Sequence, residues 1–288
     1  MSATLIRTPA RDQARLPDAP FHTWTGADGT DWAFFHRQDG RILIRFAELA
    51  DFVVDPDGAQ AVCTPAPGCD EGTLDHLFDN QVLPLMLSAQ GEMVFHGSAV
   101  ATEAGAIAFL GQTGRGKSTL AASFATAGMG FLCDDRMVLR RRGADLMVMP
   151  AAPSVRLWED SANRLFATPQ DLAPPVSYTD KRRIRAGRDF PHCNQARPLT
   201  AAFFLGDGHV KRVRTERLGG ILTATSWMAN IFLLDTGDKA AIRAKFYQVT
   251  AILTRIPAMK LEFPRDHDRL AETRAAILTA AAQAREWT

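Results

Sequence analysis

The chain has 288 residues, 46% of them hydrophobic and 23% charged, with a formal net charge of +1 at neutral pH. That length holds one large domain or two modest ones with a real core, and the composition is that of an ordinary globular chain. The near-zero charge gives no pull toward nucleic acid or an anionic membrane, no run of about 18 apolar residues marks a transmembrane helix, and the N-terminal segment lacks the apolar core of a signal peptide, so a cytoplasmic protein is expected.

Residues 1–20 read as a loose polar tail. Between residues 21 and 64, the runs Trp32-Ala33-Phe34-Phe35, Ile42-Leu43-Ile44-Arg45-Phe46 and Asp51-Phe52-Val53-Val54 predict strands, separated by Asp39-Gly40 and Asp57-Gly58. After a loop at Pro65-Ala66-Pro67-Gly68, helix-spaced apolar residues from Leu74 to Leu87 predict a helix over 71–90, kinked at Pro84. Residues 21–90 are therefore a small β-rich module plus a helix, and 91–288 a second domain. That domain opens with a strand over 94–100, a turn at Glu103-Ala104-Gly105 and the buried strand Ala106-Ile107-Ala108-Phe109-Leu110. Thr119–Ala125 follows as a helix capped by Gly128, then the strand Phe131-Leu132-Cys133-Asp134-Asp135, a hairpin from Met137 to Met149, and a helix over 157–166. The stretch 177–198 is polar, 199–205 returns as a buried strand, and helices over about 220–234, 240–255 and 268–285 close the chain.

Cys63, Cys69, Cys133 and Cys193 form no C-x-x-C pair and show no zinc-ligand spacing, so neither a disulfide nor a structural metal is expected.

The segment Gly111-Gln112-Thr113-Gly114-Arg115-Gly116-Lys117-Ser118 satisfies every fixed position of the phosphate-binding loop G-x-x-x-x-G-K-[ST], between a predicted strand and a predicted helix that starts at Thr119. Such a loop turns its backbone N–H groups toward an anion at a helix N-terminus. Lys117 would reach the β- and γ-phosphates of ATP, and the Ser118 hydroxyl would ligate Mg²⁺. Arg115 reads as a solvated loop position. Asp134-Asp135, at a strand end after that helix, supplies what phosphoryl transfer needs: one carboxylate for the metal and one to accept a proton. A solvent-exposed acidic turn is the alternative. His96, alone in an apolar strand, reads as a core histidine. The cluster Lys181-Arg182-Arg183-Ile184-Arg185 is either a solvated loop or an anion site for phosphates or an acidic peptide. Without interleaved aromatics it does not read as a nucleic-acid surface.

Taken together, His96-Gly97-Ser98-Ala99, the loop Gly111–Ser118 and Asp134-Asp135 resemble the catalytic domain of HPr kinase/phosphorylase. The resemblance implies an α/β fold whose P-loop core is of the HPr-kinase/PEP-carboxykinase-like type, with a β-rich N-terminal module and a helical C-terminal part. It also implies His96 beside the transferred phosphate, Asp134 as base toward a serine hydroxyl and Asp135 as Mg²⁺ partner. Gln112-Thr113 stands where the regulatory kinase carries an acidic residue, and residues 1–90 and those beyond Met149 are unlike it. Segments such as Gln81-Val82-Leu83-Pro84-Leu85, Arg156-Leu157-Trp158 and Lys181-Arg182-Arg183 look more like stand-alone members of the group, lasso-peptide kinases that phosphorylate the C-terminal serine of a precursor peptide. The implied cofactors are ATP and Mg²⁺, and the implied partner is a serine-bearing peptide or small protein, with no nucleic acid and no membrane. Related kinases form hexamers, so a homo-oligomer stays open. So do a nucleotide-gated regulatory module with weak ATPase activity, an HPr-type protein kinase and a small-molecule kinase.

Overall fold

The computed structural model describes residues 3–26, 29–166, 181–187 and 189–285, and these divide into two compact units. The first is built from residues 3–94 and 232–244, the second from the remainder. Residues 177–180 of the polar stretch and Arg188 of the basic segment lie outside the described residues.

In the first unit, β1 (Thr4–Arg7), β2 (His22–Thr25), β3 (Asp31–Gln38), β4 (Arg41–Phe46), β5 (Ala50–Val54) and β6 (Gln60–Pro65) form one six-stranded sheet in the order β1-β6-β5-β4-β3-β2. β2 to β6 form an antiparallel meander, and β1 joins β6 in parallel. Residues 4–7 are thus part of the sheet and not of a loose tail: their backbone groups find partners on the open edge of β6. β5 buries every second residue, and Phe35, Ile44, Phe46 and Phe52 form the core with residues of the helical segment.

That segment is not one helix kinked at Pro84. α1 (Glu71–Leu77) runs into a π-helical turn at Phe78–Val82, and α2 (Leu83–Ala89) starts afresh with Pro84 in its first turn. Pro84 has no N–H to give, so the irregularity falls in the turn before it, where Leu83 N–H reaches back to Phe78 O. Gly58, at φ +69°, permits the β5–β6 turn to touch this helix: a Cβ there would lie 2.2 Å from Met86 O.

The second unit begins at the end of β7 (Met93–Phe95) and continues through β8 (Gly97–Thr102), β9 (Gly105–Leu110), α3 (Lys117–Thr126), β10 (Gly130–Cys133), β11 (Met137–Arg142) and β12 (Asp145–Val148). It then runs through β13 (Ser154–Leu157), α4 (Glu159–Leu165), β14 (Arg182–Arg185), β15 (Arg197–Leu205), β16 (Arg214–Arg217), α5 (Gly220–Met228), α6 (Lys239–Leu253), whose first turns belong to the first unit, β17 (Ala258–Glu262) and α7 (Leu270–Arg285). The mixed α/β character holds, and the sheet of this unit is itself mixed. Consecutive neighbours are β10-β8-β9-β15-β12-β11, with β17 also on β15 and β16 on β17. β15 runs parallel to β9 and to β17; the other pairs in this series are antiparallel.

β9 is buried along its whole length, which suits a strand covered on both faces. Leu120 and Phe124 of α3 share a core with Phe109, Phe203 and Ile277 of α7. Gly128, at φ +92°, ends α3: its N–H bonds Ala125 O while Met129 N–H bonds Phe124 O, the paired bonds of a glycine C-cap.

β13 pairs with β14, so residues 182–185 are ladder residues and not a solvated loop. The strands β16 and β17 fall in a region for which no strand was predicted. Among the described residues, no helix is long and apolar enough to cross a membrane.

Candidate phosphate site

Three neighbouring strand ends converge. β9 runs into the Gly111–Ser118 loop, β8 between them begins just after His96, and β10 ends at Asp134-Asp135. Because β8 is antiparallel to both neighbours, the ends of β9 and β10 and the start of β8 lie at one edge. The loop, the histidine and the acid pair are thereby brought together, although the acid-bearing strand is not the immediate neighbour of β9.

Gly111, Gly114 and Gly116 have φ of 143°, 83° and 85°, values that glycine adopts without steric penalty. Gly116 is the N-cap of α3 and Lys117 its first residue. Lys117 is only 5% exposed, and its Nζ donates to Gly111 O at 2.7 Å and Gln112 O at 3.1 Å. Burial lowers its pKa to about 8, against the pull of the Asp135 and Asp134 carboxylates.

Asp134 Oδ1 accepts from Ser98 Oγ at 2.5 Å and from Ser118 Oγ at 2.9 Å, whereas among the described residues the hydrogen bond seen at Oδ2 is the long one from Arg156 N–H at 3.5 Å. Burial and the adjacent Asp135 carboxylate hold the Asp134 pKa above the ordinary carboxylate range, outweighing the two hydroxyls. For Asp135 burial pushes the same way, but His96, Lys181 and Lys117 outweigh it and hold the group well below that range. Asp135 sits at φ +58°, a conformation that few non-glycine residues adopt and that collects at functional sites. His96 Nε2 lies 3.6 Å from Asp135 Oδ1. Burial lowers the His96 pKa, Asp135 raises it, and Lys117 and Lys181 lower it further. A serine hydroxyl beside two carboxylates of unequal proton affinity is an all-oxygen donor set, which suits Mg²⁺.

Of the three basic residues expected to meet phosphate or substrate, Lys181 is the one whose charge acts on His96, Lys117, Asp134 and Asp135. Its Nζ lies 5.7 Å from the centroid of the half-exposed Trp158 ring. Arg182 and Arg183 pair in register with Leu157 and Arg156, so β13 and β14 unite two segments that are distant in sequence. Arg115 is not a bare solvated position: its guanidinium is ion-paired with Asp207 and donates to Gln112 Oε1 at 3.2 Å. Thr119 Oγ1 lies 3.5 Å from Ser161 Oγ, which in turn lies 3.0 Å from His267 Nε2.

Asn230 was not anticipated. Its Oδ1 accepts the Gly111 N–H at 2.9 Å, its backbone carbonyl accepts the His96 N–H at 2.7 Å, and its Nδ2 donates to Ser226 O at 2.8 Å. A single asparagine after α5 thus ties the first loop glycine to the histidine strand. No motif surrounds it, so only the folded chain reveals it. Ser98, between His96 and the buried Ala99, reads as a small strand residue until Asp134 is seen opposite.

No family model matches the chain, and no curated protein matches it. Among solved structures, the HPr(Ser) kinase/phosphatase from Coxiella burnetii is similar over 66% of this chain and 97% of its own, at a TM-score of 0.33 and 12% sequence identity. At so low an identity and superposition, the chemistry of the site rests on its own geometry.

Proposed function

We propose that this protein is an ATP-dependent serine kinase. The observation that carries the reading is the meeting of a phosphate loop with the Asp134-Asp135 pair at one sheet edge, joined by the Ser118–Asp134 hydrogen bond. The loop amides and Lys117 hold the triphosphate. Ser118 and Asp135 are the residues that would hold Mg²⁺, which when bound neutralises phosphate charge. Ser118 can offer a lone pair to the metal while its O–H stays on Asp134 Oδ1.

Asp134 Oδ2, the less engaged oxygen, takes the proton of the acceptor hydroxyl. The hydroxyl oxygen bonds to the γ-phosphorus as the bond from that phosphorus to the β,γ-bridging oxygen breaks, and ADP leaves with that electron pair. A raised proton affinity makes Asp134 the better base of the two, and a lowered one keeps Asp135 ionised for the metal. His96 stands beside Asp135 and Lys181 adds positive charge, both suited to the transferring phosphoryl group.

The acceptor is a serine of a peptide or small protein, and the sequence resemblance favours the C-terminal serine of a ribosomally made lasso-type precursor. The exposed Trp158 beside Lys181 offers such a peptide an apolar face next to a cation. Incubation of the protein with ATP, Mg²⁺ and a serine-terminated peptide, read by intact mass, tests the reading. A gain of one phosphate, absent with Lys117→Ala, supports it. ATP consumption that ignores the peptide favours the regulatory ATPase instead.

A further inference from the structure

β17 is followed by Phe263-Pro264-Arg265, and this segment lies against the phosphate loop: a Cβ on Gly116 would be 3.0 Å from Arg265 Nη1 and 3.3 Å from Phe263 Cζ. The Arg265 guanidinium stacks on the Phe263 ring, 4.1 Å from its centroid, and Nη2 donates to Gly206 O at 2.6 Å. Those two anchors hold the side chain while Nη1 stays at the loop. Other cations here are neutralised directly, Arg115 by Asp207 and Lys260 by Glu262 at 3.1 Å. Arg265 forms no ion pair among the described residues.

We propose that Arg265 is a second cation of the phosphate site, donating from its guanidinium to a phosphate oxygen of the nucleoside triphosphate held on the loop, a role that Arg115 does not fill. This rests on the kinase reading above. A guanidinium is suited to the task because its planar array of donors matches phosphate oxygens and its charge persists at any working pH. Partial burial and the Arg115 guanidinium both work against the charge of Arg265, with Glu262 in its favour. A bound polyphosphate beside the Arg265 guanidinium reverses that balance, so the ligand gains from a cation that the protein otherwise holds at some cost. Carried on a different element from Lys117, Arg265 also links nucleotide binding to the end of β17.

Calorimetric titration of the full chain with ATP·Mg²⁺ tests this, using the unmodified protein and Arg265→Gln, with a melting curve for each. Arg265→Gln is expected to weaken ATP binding about tenfold or more, the scale of a lost charge-assisted hydrogen bond, with its melting temperature unchanged. ATP affinity of Arg265→Gln within about threefold of the parent overturns the proposal. If Arg265→Gln also melts lower, Arg265→Lys decides: recovery of part of the lost affinity supports a charge role, and no recovery overturns it. Absence of ATP binding by the unmodified chain instead overturns the kinase reading, and this inference with it.

Discussion

Asp134→Asn separates chemistry from binding in this site. The amide oxygen can replace Oδ1 and still accept from Ser98 and Ser118, while the amide nitrogen replaces Oδ2, which among the described residues accepts the Arg156 N–H at 3.5 Å. Facing two donors across that distance costs less than about 1 kcal/mol. Linkage works in the variant's favour. A carboxyl whose folded pKa is raised holds its proton more tightly when folded, so its ionisation costs stability as pH rises through the folded pKa. At neutral pH the neutral amide removes that penalty, so the melting temperature should not fall. Loss of a general base lowers kcat by about 10²–10⁴-fold, or roughly 3–5 kcal/mol of barrier. The assay is peptide phosphorylation by intact mass under saturating ATP, with the Kd for ATP measured on the same samples. A kcat within a few-fold of the parent refutes the base assignment, and loss of ATP binding in parallel with kcat refutes the separation of roles.

The pH profile of kcat/KM should be bell-shaped. Asp134 acts as base only when ionised, so its raised pKa moves the acid limb above the ordinary carboxylate range, and Lys117 holds phosphate only when charged, so the alkaline limb falls near its pKa of about 8. A profile flat between about pH 5 and 9 would contradict both assignments. Asn230→Ala leaves the Gly111 N–H without its side-chain acceptor and should cost about 1–3 kcal/mol in stability together with weaker ATP binding. Parent-like stability and ATP affinity in Asn230→Ala would argue against the Asn230–Gly111 tether. Gly58→Ala combines a left-handed backbone with a Cβ 2.2 Å from Met86 O, and chemical denaturation should show a loss of at least about 2 kcal/mol; wild-type stability would mean that the turn is not packed on α2 as described.

The strand–turn–helix setting of residues 111–118 was legible in the sequence because its signature is local. Gly111, Gly114, Gly116, Lys117 and Ser118 act through the backbone of one turn, and the apolar run before it and the helix after it are contiguous with it. The buried strands β9 and β15 were legible for the same reason, since a strand covered on both faces is a continuous apolar word. Asp134 and Asp135 were visible as acids at a strand end, but their nearness to the loop depends on β8 lying antiparallel between β9 and β10, a pairing that no local pattern encodes. The polar run 182–185 reads as loop until β13 satisfies its backbone groups, and β1 reads as tail until β6 does. Asn230 and Arg265 carry no signature at all, because a lone amide or guanidinium acquires a role only from the group placed opposite it. Sequence alone therefore determined the glycine-rich turn and its place between strand and helix; tertiary structure decided which side chains meet beside it, because hydrogen bonds and charge act over a few ångströms of space, however many residues of chain lie between.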